Sequence, residues 1–140
     1  MTAYFLDTSI FMYAGGKTHP YKKPCVEILK SMAQGMLEGI SDCEVVQEIL
    51  YRFIRIGKID SGIKLAREVM KILPHLLPVE KEDVWLASDL LSAHKSIEAR
   101  DAIHAAVMLN HGISLIISPD KHFDHIKQVK RIDPRDLNVG

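Results

Sequence analysis

The sequence predicts an α/β protein: a three-layer α/β/α fold around a central, mostly parallel sheet. Short apolar runs alternate with stretches of helical periodicity along the chain, and the two most apolar runs, AYFL at 3–6 and SLIIS at 114–118, read as strands. Alternation of this kind implies a parallel sheet covered by helices on both faces. No low-complexity segment, internal repeat or linker divides the 140 residues, so one domain spanning 1–140 is expected.

AYFL is the first strand, and the first helix expected, YKKPCVEILKSMAQGML over 21–37, is entered through the loop GGKTHP. GIS is a short second strand. CEVVQEILYRFIRIG follows as a helix, with Val46, Ile49, Leu50 and Phe53 at the i, i+3, i+4, i+7 spacing of a buried stripe. SGIKLAREVMKIL is a further helix and HLLPV a third strand. EDVWLASDLLSAHK and SIEARDAIHAAVMLNHG add two helices before the strand SLIIS, and VKRID is the last strand.

Composition bounds the function. Lys plus Arg and Asp plus Glu number 18 each, so no overall basic field attracts a polyanion, and any nucleic acid must be gripped locally. Cys25 and Cys43 lie far apart without a CxxC or Cys/His ladder, which excludes a zinc ribbon or disulfide framework and suits a reducing cytoplasm. No basic-then-apolar leader is visible, and no run approaches the ~20 apolar residues of a spanning helix, so neither a signal peptide nor a membrane span is expected.

In open parallel sheets the ligand crevice lies beyond the C-terminal strand ends, where strand order reverses. Asp7 ends the first strand and Asp120 follows SLIIS, so the two carboxylates converge if those strands are neighbours. Taken singly, Asp7 reads as a turn former or helix cap, Asp101 as an anion at a helix start, and Glu48 as part of a solvated face. Together, four acids at the edges of separate β/α units can form one oxygen cage. Hard divalent cations such as Mg²⁺ favour such ligands and keep waters for substrate phosphates.

The stretches FLDTSIFMYA, EVVQEILYRF, ARDAIHAAVMLNHGISLIIS and DKHFDHI resemble those of PIN-domain ribonucleases, most closely the VapC toxins of VapBC toxin–antitoxin modules. The resemblance runs over nearly the whole chain. It implies a PIN-like fold and hydrolysis of RNA phosphodiesters by a cage of Asp7, Glu48, Asp101 and Asp120, with Mg²⁺ or Mn²⁺ as cofactor and a metal-activated water as nucleophile. Ser9 matches a hydroxyl that supports the first acid, and a cognate antitoxin is the implied inhibitor. Many relatives place another acid just before the Phe of the last motif, where this chain has His122; Asp124, just beyond Phe123, is a further candidate at the site. Competing readings are a PIN scaffold that only binds RNA or protein, and a nuclease of RNA maturation.

Other motifs fail local tests. GGKT at 15–18 lacks the first glycine of a phosphate-binding loop, that position being Phe11. A haloacid-dehalogenase-type phosphatase needs a second Asp at Ser9, and the paired early acids of a response-regulator receiver are not evident. His104 reads as a packing residue, His122 and His125 as solvated. Tyr51, Phe53, Met32 and Met36 read as packing residues rather than a base-stacking platform. Arg52, Arg55, Lys58, Lys121, Lys127, Lys130 and Arg131 are the candidate phosphate contacts. The helix pair over 44–73 has more apolar positions than one sheet face can cover, which predicts a homodimer through it.

Overall fold

The structure, a computed structural model, describes residues 2–138. Five parallel strands form one sheet in the order β3-β2-β1-β4-β5, with β1 Ala3–Leu6, β2 Glu38–Asp42, β3 Leu76–Leu77, β4 Leu115–Ile117 and β5 Lys130–Ile132. Six helices, α1 Thr8–Gly15, α2 Lys22–Ala33, α3 Cys43–Arg55, α4 Ile59–Ile72, α5 Lys81–Ala93 and α6 Ala99–Asn110, complete the α/β/α fold. Right-handed crossovers put α1–α4 on one face and α5 and α6 on the other. A single turn of 3₁₀-helix over Lys121–His125 joins β4 to β5.

β1 is central because it is apolar on both sides: Phe5 and Leu6 are fully buried, as are Ile116 and Ile117 on β4 beside it. The chain leaves β1 toward β2 and returns on its other flank as β4, so strand order reverses between β1 and β4. That is where a crevice opens in such sheets.

Two local features differ from expectation. Helix α1 occupies residues between β1 and the loop GGKTHP, capped by the Asp7 side chain on Thr8 N at 2.8 Å. Helix α2 stops at Ala33, short of 37, because Gly35 takes φ +74 and lets Met36 N donate back to Ser31 O. Pro24 is accommodated in the first turn of α2, where no intrahelical N–H bond is forfeited. Between α3 and α4 the backbones meet closely at Gly62, where a Cβ would sit 2.5 Å from that of Phe53.

Candidate active site

Four acids reach the C-terminal edge of the sheet from four segments. Asp7 follows β1 directly, Glu48 lies in the second turn of α3, Asp101 is in the first turn of α6, and Asp120 caps the 3₁₀ turn after β4. The first three are buried, and Asp120 is the more open, with a third of its side chain exposed.

Ser118 ties the two central strands together here. Its hydroxyl donates to Asp7 Oδ2 at 2.6 Å and accepts from Asp120 N at 3.0 Å. The hydroxyl on Asp7 is therefore that of Ser118; Ser9 is half-buried on α1 and makes no side-chain hydrogen bond to Asp7. Thr8, beside it, donates to Glu48 Oε1 at 2.9 Å, linking α1 to α3. Asp101 is steadied by a capping box, accepting from Glu98 N at 3.3 Å.

Behind the acids lies a fully buried pair that sequence reasoning did not find. Asp42 ends β2, caps α3 through Val45 N at 3.0 Å, and receives His104 Nδ1 at 2.9 and 3.0 Å on its two oxygens. His104 Nε2 has no hydrogen-bond partner and faces Glu48 Oε1 at 3.6 Å, a separation for ion pairing rather than hydrogen bonding. His104 is thus more than a packing residue. Burial opposes its charge, but Asp42, Glu48 and Asp7 overcome that and hold its pKa well above the usual imidazole value.

The acids respond to these surroundings differently. Burial pushes the Asp101 carboxyl up to about 6, reinforced by Asp120 and Asp7. Asp7 is also raised, chiefly by burial. Burial acts the same way on Glu48, but His104, Arg52 at 2.7 Å and the Thr8 hydroxyl outweigh it and bring Glu48 down to about 2. Acids held at such different ionisation in one crevice are a feature of functional sites.

The donor set suits a divalent cation. Asp101, Asp120 and His122 offer atoms within 4.8 Å of one another, as do Asp7, Glu48 and His104. In the second group the protonated His104 acts as a counter-charge, leaving carboxylate oxygens as ligands. His122, expected to be solvated, is half exposed yet lies 3.3 Å from Asp120 and 3.6 Å from Asp101. Asp124 is held instead by Arg131 at 2.9 Å. Arg131 also donates to Ser118 O, so this cation is engaged in structure rather than free for phosphate.

The PIN domain family matches residues 4–129 of the chain. A VapC ribonuclease of Mycobacterium bovis is 34% identical over 127 residues, covering 91% of this chain and 97% of that protein. The ribonuclease VapC23 of Mycobacterium tuberculosis is 33% identical over 121 residues, covering 86% and 92%. Among solved structures, VapC20 of M. tuberculosis, described as a sarcin-ricin loop cleaving toxin, superposes with a TM-score of 0.73 at 18% identity over 90% of this chain and 95% of that one. VapBC2 of Rickettsia felis, solved bound to a fragment of promoter DNA, gives 0.72 at 14% identity over 94% and 98%.

Proposed function

The chain belongs to the PIN-domain family, among its VapC ribonucleases, and from that premise we propose that it is a divalent-metal-dependent endoribonuclease acting as the toxin of a toxin–antitoxin pair. The observation that carries the reading is the convergence of Asp7, Glu48, Asp101 and Asp120 beside the β1–β4 switch point. When bound, a divalent cation polarises a phosphate oxygen and activates water for attack on phosphorus. Asp7, Glu48, Asp101 and Asp120 would hold it. Ser118 and Thr8 fix two of these carboxylates, and the Asp42–His104 pair keeps Glu48 ionised from behind. His122 adds a nitrogen donor at the open side, a donor type that favours Mn²⁺ over Mg²⁺.

Cleavage of a labelled single-stranded RNA with EDTA, Mg²⁺ or Mn²⁺ tests this. Expected is no cleavage in EDTA, cleavage with either ion, and half-maximal rate at a lower concentration of Mn²⁺ than of Mg²⁺. Absence of cleavage with both ions would leave the chain as a PIN scaffold that only binds RNA or protein. Cleavage confined to a structured precursor would instead indicate an RNA-maturation nuclease.

The partners follow from the same reading. An open apolar groove of about 360 Å³ between α1, α2 and α4, lined by Phe11, Ala14, Leu29, Met32, Leu65 and Val69, suits an apolar segment of an antitoxin. The cytoplasm is where RNA, antitoxin and a chain with two free cysteines coexist, and no helix among the described residues is long and apolar enough to cross a membrane. Ile54 and Ile56 are each more than half exposed, Ile59 and Met70 are exposed as well, and a homodimer would pair through this α3–α4 region. Sedimentation at micromolar protein should then report twice the 15.8 kDa chain mass; a strictly monomeric species would exclude the dimer.

A further inference from the structure

Tyr51 departs from its expected packing role. The residue is 39% exposed, and the Arg100 guanidinium lies 4.1 Å from its ring centroid. Arg55 approaches the same ring at 5.9 Å, and Glu44 braces Arg100 at 3.6 Å. An aromatic ring stacked with a guanidinium on a wet surface is a flat, cationic plate whose cost of ordering has been met before any ligand arrives.

Its position connects it to the acids. Tyr51 stands one turn beyond Glu48 on α3, Arg52 reaches back to Glu48, and Arg100 immediately precedes Asp101 on α6. The plate therefore lies at the rim of the crevice, bridging the two helices that deliver two of its four carboxylates. Arg52 and Arg100 pair with Glu48 and Glu44, which leaves Arg55 beside the ring as the cation with no carboxylate partner among the described residues. Single-stranded RNA is held in this way elsewhere in chemistry: unstacked bases lie on aromatic rings or guanidinium planes while nearby cations take the phosphates.

We propose that the Tyr51–Arg100 stack is a nucleobase-binding subsite, which seats a base of single-stranded RNA next to the phosphate presented to the acids. The proposal rests on the ribonuclease reading. It assigns Tyr51 to substrate positioning and not to bond cleavage, so its loss acts on KM rather than on kcat. Stacking on such a ring is worth about a tenfold change in affinity or more.

The test is steady-state cleavage of an RNA oligomer with Mn²⁺ by wild type, Tyr51→Ala and Tyr51→Phe. The oligomer is used intact and with a single abasic nucleotide on either side of the cut, and melting curves confirm that each variant is folded. Tyr51→Ala should raise KM about tenfold with kcat within twofold, and Tyr51→Phe should stay near wild type. One abasic substitution should raise the wild-type KM by a similar factor and have no further effect on Tyr51→Ala. A Tyr51→Ala KM equal to wild type, or an abasic penalty of equal size in both proteins, would overturn the subsite while leaving the ribonuclease intact. Loss of partner-protein binding with unchanged KM would overturn it too, assigning the plate to a protein. A wild type that cleaves no RNA removes the ribonuclease reading and the subsite with it.

Discussion

Asp101→Asn is expected to abolish RNA cleavage and, in EDTA, to melt above the wild type. The first effect follows from losing one of the four carboxylates that the proposed function assigns to the cation. Residues that merely support metal ligands cost 10–100-fold when removed, so a loss beyond about a hundredfold is expected. The second follows from the carboxyl being held near 6 by burial and by Asp120 and Asp7, whereas the unfolded chain ionises it near 3.8. Below pH 4 it is protonated in both states and costs nothing. As pH rises from 4 to 6 the folded state retains a proton that the unfolded state releases, so stability falls, and above 6 the penalty is complete. Asn escapes this penalty, so the variant should gain about 1–3 kcal/mol at pH 7 and converge on wild type near pH 4. Mn²⁺ should reverse the order, because the wild type gains ~2.7 kcal/mol at a hundredfold excess over Kd and the variant gains far less. Melting curves at pH 4 and 7, with EDTA and with Mn²⁺, decide it. A variant less stable than wild type in EDTA would make Asp101 a cap whose negative charge is useful, and wild-type cleavage would remove it from the cage.

The largest loss of stability is expected from Asp42→Ala. It removes the cap on Val45 N, worth about 1 kcal/mol. It also strands the His104 imidazole, which is 1% exposed, without the carboxylate that neutralises it. Breaking a buried ion pair from one side typically costs ~3–5 kcal/mol, and urea denaturation should show a loss of that order at pH 7. A loss near 1 kcal/mol would mean that only the cap matters. Adding His104→Leu should recover part of the loss, since no charge is then left buried without its partner. Because the folded pKa of His104 lies well above 6.5, the stabilisation from the pair is fully present below pH 6.5. It should decline as pH rises through the folded value.

Much of the fold was legible because its strands are short apolar runs and its longer helices carry regular stripes. Asp7, Asp101 and Asp120 were legible as residues following strands or opening a helix, whereas Glu48, in the second turn of α3, was singled out by the family resemblance. Helix α1 was not, since TSIFMYAG is short, apolar on most sides and begins with β-branched Thr8, so no polar face marks its period. The supporting shell was hidden for a different reason. Thr8 meets Glu48 across 40 positions, His104 meets Asp42 across 62, and Ser118 meets Asp7 across 111. Hydrogen bonds of such separation leave no periodic trace, so the hydroxyl implied for Asp7 was that of Ser9, taken from the family resemblance, whereas Ser118 is the one that donates to it. Tyr51 lies off the stripe of Val46, Ile49, Leu50 and Phe53, and the two arginines that hold it at the surface come from another helix and from the next turn, contacts that spacing alone does not report.

The sheet order has a consequence for when the crevice is assembled during synthesis. β1 gains β2 on one side early, but its other flank is filled only when β4 arrives, and with β4 comes Ser118, the hydroxyl partner of Asp7. Asp120 comes later still. At ~5–20 residues per second, the interval between synthesis of the first acid and the last is roughly 6–20 seconds, during which the nascent chain holds an incomplete site. Products ending before β4 lack both Asp120 and the strand that closes β1, so they hold an incomplete crevice. The four carboxylates can therefore meet only after β4 and Asp120 have been translated and β4 has docked against β1.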